Sequence, residues 1–128
     1  MEKYIGNSFR KGPDTVPLEY VMETQDFVGV YFGAHWAPPC RAFTEVLTEF
    51  YKTTNEVGKR LEVVFVSNDG NEAAFERNFA EMPWVAVPYT DQERGQNLRQ
   101  QFGVSGIPSF VVLHKTGEFV SMDARQDV

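Results

Sequence analysis

The residues around the single cysteine, Cys40, have the types and spacing of a thiol-redox loop. Residues 34–41 read Ala-His-Trp-Ala-Pro-Pro-Cys-Arg and follow an apolar run. A thiol at position 37 would lie one helical turn from Cys40, close enough for the two sulfurs to form a disulfide. It would also lie where a helix begins, and the helix dipole there favours the attacking thiolate. Position 37 holds Ala37, so the sequence predicts a dithiol loop whose first cysteine is missing and whose ordinary dithiol–disulfide cycle is blocked.

Cys40 and Ala37 each have two interpretations. The second cysteine of such a loop faces inward, so Cys40 is expected to be a small buried hydrophobe of low reactivity. The alternative is a monothiol exposed enough to form a mixed disulfide. Ala37 is either a natural loss or an engineered substitution in an otherwise complete enzyme. The intact residues around it favour a recent or engineered loss over long divergence of a binding module.

A second feature is the segment Gly106-Ile107-Pro108, which comes directly before an apolar run. Proline is normally excluded from the middle of a strand. Its place at a strand's start predicts a turn, for which a cis peptide bond is one possible form.

Three apolar runs rich in β-branched and aromatic residues predict the strands that position these features. The runs are residues 27–33, 61–66 and 109–113. A turn at residues 115–118 leads into Phe119-Val120 and predicts a hairpin. The first 25 residues are polar and turn-rich, and we interpret them as short edge strands plus a helical turn near residues 18–21.

Helices are predicted between the strands, over residues 39–57, 71–82 and 91–102. The first has one apolar stripe. Asp91 is placed to cap the third helix, with Leu98 and Phe102 facing inward. The stripe of the first helix is formed by Phe43, Val46, Leu47, Phe50 and Tyr51.

Composition excludes several classes of function. The formal charge of −6 disfavours nucleic acid and anionic membranes as partners, because both need clustered Lys and Arg. No stretch is long and apolar enough for a transmembrane helix or a secretory signal. One cysteine allows no internal disulfide, which fits a reducing compartment, most simply the cytoplasm. One Cys and two His that are far apart in the sequence predict no metal site.

The segment 36–41, Trp-Ala-Pro-Pro-Cys-Arg, resembles the W-C-P-P-C-R loop of the tryparedoxins and nucleoredoxins, a branch of the thioredoxin superfamily. Residues 30–32, the Met-Pro-Trp-Val-Ala-Val-Pro-Tyr segment at 82–89 and Gly106-Ile107-Pro108 agree with it. The resemblance implies an α/β thioredoxin-like fold, in which a central mixed sheet of four or five strands is flanked by helices on both faces. We expect residues 1–128 to form a single domain. Family members continue beyond the point that corresponds to Val128.

The resemblance implies reduction of protein disulfides. The electron donor would be a dithiol of the trypanothione or thioredoxin type, and the partners would be disulfide-containing proteins such as peroxiredoxin-type peroxidases. No bound cofactor and a monomer are expected. The alternative is a redox-silent module that binds proteins in the groove of the thioredoxin fold without reducing them.

The expected site consists of the missing nucleophile, a resolving thiol and a substrate-binding surface. Trp36 is expected to be partly exposed, Trp84 is either core or groove wall, and Tyr31 is expected to be a packing residue. The nucleophile's position is Ala37 and the resolving residue is Cys40. The substrate-binding residues are Trp36, Pro38, Pro39, Arg41, Ile107 and Pro108.

Overall fold

The three apolar runs form neighbouring central strands of one mixed sheet in the computed structural model, which describes residues 5–121. The strands are β1 (Ser8–Lys11), β2 (Asp14–Pro17), β3 (Phe27–Gly33), β4 (Leu61–Ser67), β5 (Val85–Ala86), β6 (Ser109–His114) and β7 (Phe119–Ser121). The helices are α1 (Leu18–Val21), α2 (Pro38–Thr54), α3 (Glu72–Phe79) and α4 (Gln92–Gln101).

The sheet has the strand order β2-β1-β5-β4-β3-β6-β7. β3 pairs with β4 in parallel and with β6 antiparallel, so β3 lies at the centre of the sheet. β6 and β7 form the predicted hairpin. Its turn contains Gly117 at φ 102°, a left-handed conformation that glycine adopts without steric cost. The loop after β3 therefore lies at the carboxyl edge of the sheet's centre, beside the end of β4 and the start of β6.

The helices cover both faces of the sheet and bury two hydrophobic clusters. On one face, α1 and α4 contribute Val21 and Leu98 to a cluster with alternate residues of β3 and β4. On the other face, α2 and α3 contribute Leu47 and Phe75 to a cluster that includes Tyr31. Because β3 and β4 are buried on both faces, their sequences lack a polar alternation.

The sheet has more strands than the four or five we expected. The missed strand is β5, only two residues long, which pairs with β4 in parallel and lies between Pro83 and Pro88. The edge strands and the helical turn predicted in the first 25 residues are present as β1, β2 and α1. Asp91 caps α4 by accepting a hydrogen bond from the Arg94 backbone N–H at 3.2 Å.

The apolar stripe of α2 is narrower than predicted. Leu47 is buried, and Phe43, Phe50 and Tyr51 are half-buried, but Val46 is 51% exposed. Val46 is rotated about 100° around the helix axis from Leu47, which puts it at the margin of the stripe. The prediction that Val46 faces the core was wrong.

Strand β4 contains one buried carboxylate. Glu62 is fully buried, and its side chain lies 2.6 Å from the Lys59 ammonium. The Tyr51 hydroxyl and the Val63 backbone N–H donate to the other carboxylate oxygen at 3.1 and 3.0 Å. These three partners compensate the charge, and without them burial of a carboxylate would be strongly unfavourable.

Candidate active site

Ala37 is the N-cap residue of α2, at the end of the loop that follows β3. Its carbonyl oxygen accepts hydrogen bonds from the backbone N–H groups of Cys40 and Arg41 at 2.9 and 3.2 Å. Pro38 and Pro39 fill the first helical turn, where their lack of an N–H has no consequence. A side chain at position 37 therefore lies at the positive end of the helix dipole, as the sequence predicts.

Cys40 faces inward, one turn into α2, and is 1% exposed. Ala37 is 7% exposed. Residues three apart on a helix have neighbouring side chains, so a thiol at position 37 would lie within disulfide range of Cys40. The prediction that Cys40 is buried is confirmed, and the scaffold has the geometry of a dithiol site with one sulfur.

Tyr31 lies on β3 beneath the start of α2 and is 1% exposed. Its hydroxyl oxygen lies 3.0 Å from the Cys40 carbonyl oxygen and 2.8 Å from the Thr44 hydroxyl. Burial raises the pKa of Tyr31 above its ordinary value. The phenol therefore stays protonated at neutral pH and holds the first turn of α2, as expected of a packing residue.

The loop is held by the residues at the end of β4. The His35 backbone N–H donates to Asp69 Oδ1 at 2.9 Å, and the Trp36 indole N–H donates to the Asn68 carbonyl oxygen at 3.3 Å. The Ser67 hydroxyl donates to Asp69 Oδ2 at 2.6 Å. Because Asp69 is only 6% exposed, little water competes with the two charge-assisted hydrogen bonds to its carboxylate. These bonds hold the loop in place.

Asp69 and its neighbours are site residues that the sequence interpretation missed. The available signal was topological: two buried parallel strands end at the same edge of a sheet, so a carboxylate directly after β4 is brought to the loop directly after β3. The side chain of Arg41, which donates to the His35 carbonyl oxygen at 2.6 Å, also braces this loop.

Ile107 and Pro108 reach the same edge from β6. Their peptide bond is cis, as the proline's place in the sequence suggested. Phe32 pairs with Ser109, so the register places Pro108 beside Gly33, at the point where the loop leaves β3. Pro108 is buried and Ile107 is half-buried. The loop and the proline turn therefore meet at one edge, as predicted.

The exposed part of the expected substrate surface is Trp36, Pro38, Pro39 and Arg41, and the Trp36 side chain is 65% exposed. Trp84 belongs to the core, because it is fully buried and packs edge-to-face against Tyr51 with ring centroids 5.5 Å apart. The groove-wall alternative for Trp84 was wrong.

Residues 5–121 lack the features of two other kinds of site. No helix in this part of the chain is both long and apolar enough to cross a membrane. The same residues contain no group of three or more His, Cys, Asp or Glu side chains that could hold a metal ion.

Known proteins share this architecture. A thioredoxin-like family model matches residues 25–119. Nucleoredoxin of Bos taurus is 48% identical over 101 residues, which are 79% of this chain and 23% of the nucleoredoxin. The chain thus spans about a quarter of the length of the curated relatives it matches.

Among solved structures, native tryparedoxin I from Crithidia fasciculata has a TM-score of 0.89 and 37% identity, over 98% of this chain and 88% of its own. A cysteine-to-alanine mutant of tryparedoxin-I has the same TM-score and coverage at 36% identity. These likenesses agree with the position of the loop, the inward-facing Cys40 and the proline turn. The chain therefore belongs to the thioredoxin-like oxidoreductase family, in the branch that includes the tryparedoxins and nucleoredoxins.

Proposed function

We propose that this chain is a thiol–disulfide oxidoreductase domain for protein disulfides, whose dithiol cycle is blocked at Ala37. The observation that carries the proposal is the position of Ala37. It caps α2 one turn before the inward-facing Cys40, where a dithiol scaffold needs its attacking thiolate.

The proposed cycle requires a cysteine at position 37. Its thiolate attacks one sulfur of a substrate disulfide, forms a mixed disulfide and expels the other substrate sulfur as a thiolate. Cys40 then loses its proton and attacks the sulfur at position 37. This step forms an intramolecular disulfide and releases the second substrate thiol. A dithiol donor of the trypanothione or thioredoxin type reduces that disulfide and is itself oxidised to a disulfide.

Cys40 is a poor substitute for the missing nucleophile. It is 1% exposed and lies inside the first turn of α2, whereas the attacking thiolate must reach a sulfur in another molecule. The absence of a thiol at position 37 should therefore abolish nearly all of the activity. A redox-silent binding module is less favoured, because the chain retains three features expected of a dithiol site: a helix that starts at position 37, the buried Cys40 and the cis Ile107-Pro108 turn.

The substrate surface we propose consists of Trp36, Pro38, Pro39, Arg41 and the Ile107-Pro108 turn. Two observations support this surface: the cis Ile107-Pro108 turn lies at the sheet edge where the loop leaves β3, and Trp36, the neighbour of position 37, is exposed. We further propose that the partners are disulfide-containing proteins such as peroxiredoxin-type peroxidases, met by a monomeric domain in the cytoplasm.

The experiment is protein-disulfide reduction with a dithiol donor, comparing the chain with its Ala37→Cys variant. Ala37→Ser is the matched control, because it adds a side-chain atom of similar position without a thiol. We expect strong activity from Ala37→Cys only. The new thiol should also react with an alkylating reagent near pH 7, where a helix-start cysteine is partly ionised and Cys40 in the parent is unreactive. An Ala37→Cys variant that folds and forms the 37–40 disulfide but stays inactive would overturn the oxidoreductase proposal and favour the binding module.

A further inference from the structure

Arg99 lies on α4, which packs on the face of the sheet opposite α2, and its side chain reaches the end of β4. Its Nε donates to the Asn68 side-chain oxygen and its Nη2 donates to the Ser67 carbonyl oxygen, each at 2.8 Å. One edge of the guanidinium thus holds two consecutive residues. A planar guanidinium fixes the directions of both bonds, which a single ammonium group cannot do.

Asn68 is the residue through which this contact reaches the active-site loop. Its backbone N–H donates to the Gly33 carbonyl oxygen at 2.8 Å, which extends the pairing of β4 with β3 by one residue. Its own carbonyl oxygen accepts a hydrogen bond from the Trp36 indole N–H at 3.3 Å. Asn68 therefore joins β3, the loop and α4 through three different polar groups.

The orientation of the Trp36 indole is sensitive to the position of the Asn68 carbonyl. The Trp36 side chain is 65% exposed, so water competes for its N–H. Its hydrogen bond of 3.3 Å is slightly longer than the usual range of about 2.7–3.2 Å. A small displacement of the carbonyl oxygen away from the indole would break this bond. The exposed indole keeps this orientation only while its acceptor is held still.

The charge of Arg99 is directed at the end of β4. Within the described part of the chain Arg99 makes no ion pair with a carboxylate. Burial lowers the pKa of Arg99 below its ordinary value, but a guanidinium stays protonated at neutral pH. A charged donor that is partly removed from water forms stronger hydrogen bonds than an exposed one. The bonds to Ser67 and Asn68 are therefore suited to fixing the carbonyl that Trp36 uses.

We propose that Arg99 is a positioning residue for substrate binding: by holding residues 67 and 68, it fixes the orientation of Trp36 beside position 37. The proposal rests on the proposed function, because Trp36 is part of the substrate surface proposed there. An indole that is already oriented costs less to immobilise on binding than one that rotates freely. Arg99 therefore acts through Asn68 and Trp36 on the binding of the substrate protein, and not on the attack at its disulfide.

The first test uses the chain as it stands and involves no redox step. The chain has two tryptophans, so an NMR spectrum of isotope-labelled protein contains two indole N–H signals. Trp84 is fully buried, and its signal is the internal reference. In Arg99→Met we expect the Trp36 indole N–H to exchange faster with water and its heteronuclear NOE to fall, while the Trp84 signal is unchanged. A Trp36 indole that is unaffected in Arg99→Met would overturn the proposal.

Arg94→Met is the matched control for this measurement. Arg94 is also half-buried on α4, and its guanidinium likewise donates to backbone carbonyl oxygens, those of Ile5 and Ser8 at 3.0 and 2.8 Å. Ser8 is in β1, which β5 separates from β4. Arg94→Met should therefore lower the stability and leave the Trp36 indole unchanged. Equal effects of the two variants on this indole would show a general loosening of α4 and would contradict the proposal.

The second test measures the reduction of a protein disulfide in the Ala37→Cys background. Arg99→Met should raise KM roughly two- to tenfold and leave kcat within about twofold, because a mobile indole must be immobilised on binding. Arg99→Lys keeps the charge but not the planar group, and it should resemble Arg99→Met.

The outcomes of the second test separate the two proposals. An unchanged KM in Arg99→Met, or a KM restored to the parent value in Arg99→Lys, would overturn the role of Arg99 and leave the oxidoreductase proposal intact. An inactive Ala37→Cys parent would instead refute the proposed function. The indole measurement would then decide by itself whether Arg99 positions Trp36.

Discussion

The anchoring of the loop by Asp69 leads to a quantitative prediction. Asp69→Ala removes the acceptor of the His35 backbone N–H at 2.9 Å and of the Ser67 hydroxyl at 2.6 Å. A hydrogen bond to a charged group is worth about 1.5–3 kcal/mol, so two would give about 3–6 kcal/mol if they were additive. His35 is half-buried, so water can reach its released N–H. We therefore expect a loss of about 2–4 kcal/mol, or a fall in Tm of roughly 8–16 °C.

Urea denaturation gives the free energy of unfolding, and amide hydrogen exchange gives the protection of the His35 N–H. Asp69→Asn is the matched control, because its carbonyl oxygen can still accept from His35, whereas its NH₂ group replaces the oxygen that accepts from Ser67; we expect a loss of about 1–2 kcal/mol. In Asp69→Ala the His35 N–H should exchange much faster. If Asp69→Ala loses less than about 0.5 kcal/mol and the His35 N–H keeps its protection, the carboxylate does not hold the loop and the reasoning fails.

Two ion pairs of very different burial provide further predictions. Lys59→Met leaves the buried Glu62 carboxylate without its ammonium at 2.6 Å and should cost about 3–5 kcal/mol in urea denaturation. Lys59→Met combined with Glu62→Gln should recover most of that loss, and a single-variant loss below about 1 kcal/mol would contradict the role of the pair. The Arg10 side chain donates to Glu76, and this hydrogen bond lowers the pKa of Glu76 below its ordinary value. The resulting stability is present above the unfolded pKa and is lost as the pH falls through the lower folded pKa. Because Glu76 is 45% exposed, Glu76→Gln should cost only about 0.2–1 kcal/mol at pH 7 and nothing at pH 2, as measured by thermal unfolding across that range. An equal loss at both pH values would show that the carboxylate's charge is not the cause.

The central strands and the thiol loop were predictable because their signals are local. A run of apolar residues without polar alternation has few structures other than a strand buried on both faces. The Pro-Pro pair before Cys40 predicts the start of α2, since proline is tolerated only in a first helical turn. The short β5 was missed because two residues between prolines carry no periodicity, and only their pairing with β4 makes them a strand.

The parts that escaped prediction depend on tertiary contacts. Glu62 lies in the apolar run 61–66, and its burial requires Lys59 and Tyr51 to be brought to it by the fold. Asp69 likewise becomes part of the site only when β3 and β4 pair in parallel. Asn78 gives no signal in the sequence, because an asparagine on a polar helix face is ordinarily solvated. Its burial is visible only in the structure.

The braces of the loop also determine when the loop can become ordered during folding. The contact from His35 to Asp69 joins residues 34 apart in the chain, and that from Trp36 to Asn68 joins residues 32 apart. Closing such a loop carries an entropic cost that local helix formation does not. A chain synthesised from its amino end exposes residues 34–41 before residue 69 exists to hold them. The loop therefore takes its native shape only after β3 has paired with β4. Before that, a cysteine at position 37 would be in a disordered segment, where it could react with thiols that the folded site excludes.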